Sequence, residues 1–208
     1  MVDVTHIFGP RGFLVADYEK AGPEPVTDEH VVGGMFAKHT ETDVFSTLLW
    51  RDLVDMVRNP FRQAKNEAPC LAFHTADKKT RDAVLAADAM SSLWIDLDDG
   101  KRTMSQVKTR LLSLGVTVYV IYATASSMRV NPKTGEINGP RWRVVIPLTR
   151  ITTVNRWIEL QNGLTRFFES DTSAARVQQN AYLPTIDESQ PGEAHYEYSI
   201  SDEGELIN

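Results

Sequence analysis

The stretch Ser91–Gly100 reads S-S-L-W-I-D-L-D-D-G, an apolar run that ends in three carboxylates within four residues. Side chains alternate along a strand, so Asp96 and Asp98 face one side and Leu97 the other. At about 3.3 Å rise per residue their Cα atoms lie roughly 6.6 Å apart. Two carboxylates at that spacing can converge on one divalent ion, or clamp a pair of ions about 4 Å apart. Gly100 then lets the chain turn away. The same letters also describe a plain strand end running into an Asp-rich turn. The remainder of the chain must supply the rest of any site.

The pattern around this stretch predicts its setting. A strand is expected over 91–97. Thr103-Met104-Ser105-Gln106 opens a helix with Val107, Leu111, Leu112 and Leu114 on its apolar side and Gly115 at C′. A β-branched and aromatic strand follows over 116–123, then a polar loop, then a hairpin-paired strand over 141–148. Thr152-Thr153 cap a helix carrying Val154, Trp157, Ile158, Leu160, Leu164, Phe167 and Phe168, and 181–183 makes a last short strand. Upstream, the first forty residues are loop-rich with a short strand at 13–16. A helix is expected over 45–57, stopped by Asn59-Pro60, and a buried strand over 70–73. Lys78, Lys79 and Arg81 read as a solvated loop cluster. The order from Ser91 is strand, helix, strand, strand, helix, strand. That is the ferredoxin- or RRM-like βαββαβ pattern within the α/β (α+β) class. The expected organisation is an N-terminal α/β portion over 1–90, a palm over 91–186 and an acidic segment over 187–208, together one compact domain.

Composition limits the partners. Residues 1–208 show no apolar run long enough for a membrane span and no secretory signal. Cys70 is the single cysteine, which excludes an internal disulfide and a multi-cysteine zinc site and fits a reducing, cytoplasmic setting. Net charge is −6, but the seven acids from Asp187 onward, with no Lys or Arg among them, account for more than all of it; without them the chain carries +1. Between Arg129 and Arg150 lie five basic residues against Glu136 alone. A local basic stretch is therefore separated from an acidic tail.

Four pieces then fall in order: Asp96-x-Asp98 at the end of the first strand, Tyr122 to Ser127 at the end of the second, Arg141-Trp142-Arg143 at the start of the third, and Asp171 with Ser173 after the second helix, followed by Gln178, Gln179 and Tyr182-Leu183-Pro184. In a split βαβ sheet the first and third strands are neighbours. Asp96 and Asp98, at the tip of one, should therefore meet Arg141 and Arg143, at the start of the other. Both arginines also suit an exposed strand, and Asp171 a simple turn. Trp94 and Trp142 suit the core better than a base-stacking role. His6, His30, His39, His74 and His195 show no ligand spacing.

These motifs resemble those of the archaeo-eukaryotic primase superfamily, in particular the primase-polymerases of phages and plasmids. L-W-I-D-L-D matches its hhhDhD strand, Thr124-Ala125-Ser126-Ser127 its second motif, Arg141 to Leu148 its R-x-R-x-x-h-P-L strand, and Asp171-Thr172-Ser173 with Tyr182-Leu183-Pro184 its later segments. The resemblance covers about 45–185. It implies a DNA-templated nucleotidyl transferase, primase or DNA polymerase, replicating a phage, plasmid or similar element. Asp96, Asp98 and Asp171 would hold two Mg²⁺ or Mn²⁺ ions, and Ser126, Ser127, Arg141 and Arg143 would hold the phosphates of a dNTP or NTP. Both carboxylates of the first motif would sit at a strand tip outside the core, so that their amides should leave the fold intact. Many members carry a histidine in the second motif where this chain has Ala125-Ser126-Ser127; Asp187 rivals Asp171 as third carboxylate. The implied partners are a single-stranded DNA template and a helicase, either separate or on a missing C-terminal part, since no G-x-x-x-x-G-K-[ST] is present. Two other readings use the same residues: a non-catalytic nucleic-acid-binding module of a replication initiator, and a metal-dependent nuclease.

Overall fold

The computed structural model describes residues 25–43, 46–131, 133–189, 195–204 and 206; the strand expected at 13–16 lies outside them. Among the described residues the chain is mixed α/β, with antiparallel sheets and four helices. Before the Asp-bearing strand come β1 (Val31–Phe36), β2 (Ser46–Leu49), α1 (Trp50–Arg58), β3 (Phe61–Arg62), β4 (Cys70–Ala72) and α2 (Arg81–Ala87). β5 (Met90–Leu97) is followed by α3 (Met104–Ser113), β6 (Tyr119–Ala123), β7 (Trp142–Thr152) and α4 (Val154–Phe168). β8 (Asn180–Tyr182), β9 (Thr185–Ile186) and β10 (Tyr198–Ser201) complete the order.

Local chemistry explains several boundaries. The helix expected from residue 45 begins only at Trp50, because Ser46–Leu49 pair antiparallel with β1. Leu49 is extended, and its N–H donates to the Asp52 carboxylate at 3.2 Å, so the helix starts behind it. Leu48 and Leu49 fit either period; strand pairing decides between them. α3 opens on a capping box: Gln106 Oε1 accepts the Thr103 N–H at 2.8 Å and Thr103 Oγ1 accepts the Gln106 N–H at 3.3 Å. Gly115 follows its end with φ +76°, a left-handed conformation that glycine adopts without strain.

One four-stranded sheet has the order β2-β1-β4-β8 and a second β10-β6-β7-β5, with a parallel β3-β9 ribbon beside them. The β5-β7-β6 part is the first-third-second order of a split βαβ sheet. The expected fourth strand does not join it. β8 pairs instead with β4 of the other sheet, Cys70 opposite Tyr182. Its place beside β5 is filled by side chains of α4 and the turn after it. Trp157 Nε1 donates to the Ser92 carbonyl at 2.8 Å. The fully buried Gln161 amide accepts from the Trp94 N–H at 3.1 Å and donates to the Trp94 carbonyl at 2.7 Å. The Asp171 N–H reaches the Asp96 carbonyl at 3.4 Å. Alternate backbone groups of β5 are thus paired without a neighbouring strand. On the far edge, β10 from the acidic segment pairs with β6, Tyr198 opposite Tyr122.

The two sheets share one core. Val32 and Leu71 of the first, Trp94, Val120 and Val144 of the second, and Leu53, Leu111 and Leu164 of the helices belong to a single buried cluster. Trp94 stacks on Phe73 with centroids 4.8 Å apart, and Trp142 is buried as well. Ser92 Oγ donates to the Val32 carbonyl at 2.8 Å, tying β5 to β1.

Candidate functional site

Sheet register assembles the site. Asp96 on β5 lies opposite Arg143 on β7, and Arg143 lies opposite Tyr122 on β6. Cross-strand partners share a face, so the three side chains form a row. Arg143 Nη2 donates to Asp96 Oδ2 at 2.8 Å, and its Nη1 donates to the Tyr182 carbonyl at 3.1 Å. The Tyr122 hydroxyl donates to the same carbonyl at 2.9 Å. One backbone oxygen of β8 therefore docks the first sheet onto the second. The Arg143 guanidinium also lies over the Trp94 ring, 5.6 Å from its centroid. Burial alone would lower the pKa of Arg143. The charge and hydrogen bond of Asp96, together with Tyr122 and Asp98, outweigh burial and hold it above the ordinary arginine value.

Asp98 stands two residues on, past the strand end, with solvent access. Loss of hydration in the cleft, then the neighbouring Asp96 charge, raise its pKa, against the opposing pull of Arg143, Arg141 and Lys65. Asp99 faces elsewhere. It accepts the Lys101 N–H and pairs with Arg102 at 3.0 Å, and Arg102 also reaches Glu169.

The turn after β6 separates the two serines. Ser126 Oγ accepts from Arg141 Nη1 at 3.4 Å, and Arg141 Nη2 donates to Asn138 Oδ1 at 3.1 Å. Ser127 is buried and its Oγ accepts the Arg141 backbone N–H at 3.0 Å, which fixes the start of β7. Ser126 faces the pocket; Ser127 holds the loop.

A cleft of about 440 Å³ opens beside Asp96, Asp98 and Arg143, bounded also by His39, Lys65, Lys79, Gln178, Gln179, Asn180 and Tyr182. A narrower pocket shares Lys65, Asp98, Arg143 and Tyr182 with it and ends at Thr124, Ala125 and Ser126. Three polar atoms here are buried without a hydrogen-bond partner among the described residues: Asp96 Oδ1, Arg141 Nε and Arg143 Nε. Such atoms cost free energy unless a ligand satisfies them.

The structure brings Asp96, Asp98, Ser126, Arg141 and Arg143 into one region. Asp171 is adjacent to Asp96 through the backbone, but its exposed carboxylate caps the turn Thr172–Ala175. It accepts the Ser173 N–H at 2.8 Å and the Ser173 hydroxyl at 2.7 Å. Those two bonds lower its pKa. The carboxylate of the rival Asp187 is buried and accepts from Ser189, at 3.0 Å from N–H and 2.6 Å from Oγ. Among the described residues no three His, Cys, Asp or Glu side chains converge as a ready-made metal cage. The donor set nonetheless suits a hard divalent cation: one buried carboxylate oxygen lacks a partner, and the adjacent carboxylate is disfavoured as an anion.

Sequence reasoning missed Lys65, Lys79 and His39, which come to the cleft from the first sheet and its loops. Lys79 lay within a basic cluster read as solvated; Lys65 carried no signal of its own.

No protein-family model matches the sequence, and no curated protein matches it. Among solved structures, the chain is similar to the AEP domain of a primase-polymerase from cyanophage S-2L, at 14% identity over 78% of this chain and 74% of that one, with a TM-score of 0.49. Among the described residues no helix is long and apolar enough to cross a membrane.

Proposed function

We propose that this chain is a nucleic-acid-templated nucleotidyl transferase of the primase-polymerase kind, working with two divalent cations on Asp96 and Asp98. The observation that carries the reading is the Asp96 side chain. One carboxylate oxygen is locked by Arg143 and the other is buried with no partner among the described residues, two residues from a second carboxylate in the same cleft. A structural ion pair would satisfy both oxygens; a metal ligand keeps one for the ion.

The residues divide the work. Arg143 is buried and held in an ion pair with Asp96, whose carboxylate it orients, so it is a positioning residue. Ser126, which lines the narrow pocket, and Arg141, whose terminal nitrogens meet only the neutral Ser126 and Asn138 side chains among the described residues and can exchange them for anionic oxygens, take the phosphates of a dNTP or NTP. Asp171 completes the carboxylate set by turning from Ser173 toward Asp96, whose carbonyl its own N–H already meets. Mg²⁺ or Mn²⁺, when bound, would acidify the attacking 3′-hydroxyl and neutralise charge on the triphosphate. The protein contributes mostly orientation and electrostatics.

The test is primer extension on single-stranded DNA with Mn²⁺ and dNTPs, with Asp98→Asn as control. Template-dependent extension that Asp98→Asn removes is the expected result. Template binding without extension would leave a binding module, and shortening of labelled DNA a nuclease; either overturns the proposal.

A further inference from the structure

Tyr182 has an unusual position. Its carbonyl is pinned by both Arg143 and Tyr122, so its backbone cannot shift without breaking the contact between the sheets. Tyr182 lines both pockets beside Asp98. The Lys65 ammonium lies 5.4 Å from the ring centroid, and the exposed His39 ring is tilted by 60° at 5.9 Å. A half-buried aromatic ring on a fixed backbone, open to a cleft and covered on one face by a cation, is a stacking surface with a mobile cover.

The charges of the cleft single out Lys65. Arg143 is paired with Asp96. Lys79 is hydrogen-bonded to the His39 carbonyl, rests against the Phe36 ring and is partly dehydrated, which lowers its pKa. Among the described residues Lys65 makes no ion pair; its ammonium lies over the Tyr182 ring, and its charge acts on Asp98. It sits at the start of the turn Lys65–Glu67, on a long flexible stem, and lines both pockets. A lysine parked on a ring exchanges that contact readily for the stronger one with a phosphate.

We propose that Lys65 and Tyr182 form a nucleotide subsite facing Asp98. The Lys65 ammonium leaves the ring to bind the triphosphate of the incoming nucleotide, and the uncovered ring of Tyr182 stacks on its base. This rests on the nucleotidyl-transfer reading and adds to it the part of the site supplied from outside the β5-β7-β6 sheet. Stacking on an aromatic ring tolerates every base, so the subsite would hold the nucleotide and leave base choice to the template.

Equilibrium binding with Mg²⁺ separates the parts. The ligands are dATP and inorganic tripolyphosphate, and the proteins are wild type, Lys65→Gln, Tyr182→Leu and Tyr182→Phe. Lys65→Gln should weaken both ligands, on the order of tenfold. Tyr182→Leu should weaken dATP by roughly tenfold and leave tripolyphosphate within about twofold; Tyr182→Phe should match wild type. If Lys65→Gln, on a solvent-reaching turn, and Tyr182→Leu bind dATP as wild type does while Asp98→Asn does not, the subsite is wrong and nucleotide binding at the carboxylates stands. If wild type binds neither ligand, both readings fall. Should Tyr182→Leu not fold, Lys65→Gln decides alone: unchanged affinity for both ligands overturns the proposal.

Discussion

Gly139 lies against Gly100: a Cβ built on Gly139 would come within 2.2 Å of the Gly100 carbonyl oxygen. Gly100 itself has φ +69°, a conformation that disfavours side chains. The contact joins the loop that follows Asp98 to the loop that precedes Arg141, so it sets the distance between carboxylates and phosphate ligands. Gly139→Ala should cost roughly 1–3 kcal/mol by overpacking. It should also reduce nucleotide transfer more than stability, read as kcat/KM beside a urea melt. Wild-type transfer by a folded Gly139→Ala protein would show that the spacing is not critical.

Asp96 and Asp98 should part company when mutated. Both were expected to lie outside the core. In the structure Asp96 is instead the partner of the buried Arg143, because strand register places them opposite each other. Asp96→Ala leaves a buried guanidinium without its counter-charge and should cost about 3–5 kcal/mol. Asp96→Ala combined with Arg143→Met should recover much of that loss without recovering transfer. A double-mutant cycle in denaturant checks it, and an additive double mutant would refute the pairing.

For Asp98 the sign is opposite. Its folded-state pKa is raised, so the folded form is favoured when the group is protonated, and stability is lost as pH rises through the carboxylate range. Asp98→Asn should melt higher than wild type at pH 7, and the gap should close in acid below the ordinary carboxylate pKa. Adding Mn²⁺ should raise the wild-type Tm and leave Asp98→Asn nearly unchanged. A wild-type Tm indifferent to Mn²⁺ up to millimolar concentration would count against the metal assignment.

His74 gives a separate acid sensitivity. It is fully buried, and neither ring nitrogen has a hydrogen-bond partner among the described residues. Burial pushes its pKa down to about 4. A histidine kept neutral in the fold contributes stability above its unfolded pKa of about 6.5, lost as pH falls toward 4. The loss should reach on the order of 3 kcal/mol. His74→Leu should flatten the stability profile across that window; the same slope in mutant and wild type would assign it to other groups.

How far the sequence could be read depends on which contacts it had to report. Asp96, Asp98 and Arg143 were legible because a period of two and the adjacency of first and third strands bring them together. The capping box at Thr103 and Gln106 is a local signal, and α3 starts where it says. Gln161 was not legible as the partner of the β5 backbone. A lone glutamine on a helix face gives no hint that its amide replaces a strand, and so 181–183 was assigned to the wrong sheet. Lys65 enters the Asp98 cleft from a different sheet system, and no periodicity carries such information. Asp171 was singled out by its order in the chain alone. Its local bonds to Ser173 set where the carboxylate points.

β10 also protects the molecule from its own copies. All five residues of β6 are buried, and β10 occupies the hydrogen-bonding row on the side away from β7. Stripped of β10, that row would become a naked edge beside an apolar strand, open to pairing with another molecule. Glu197, Asp202 and Glu203 flank β10 and are exposed, so the outermost strand of this sheet among the described residues is fenced by like charges. The acidic C-terminal segment is thus a guard against aggregation as much as a source of negative field, and a protein cut back to residue 186 should precipitate before it can be tested for binding anything.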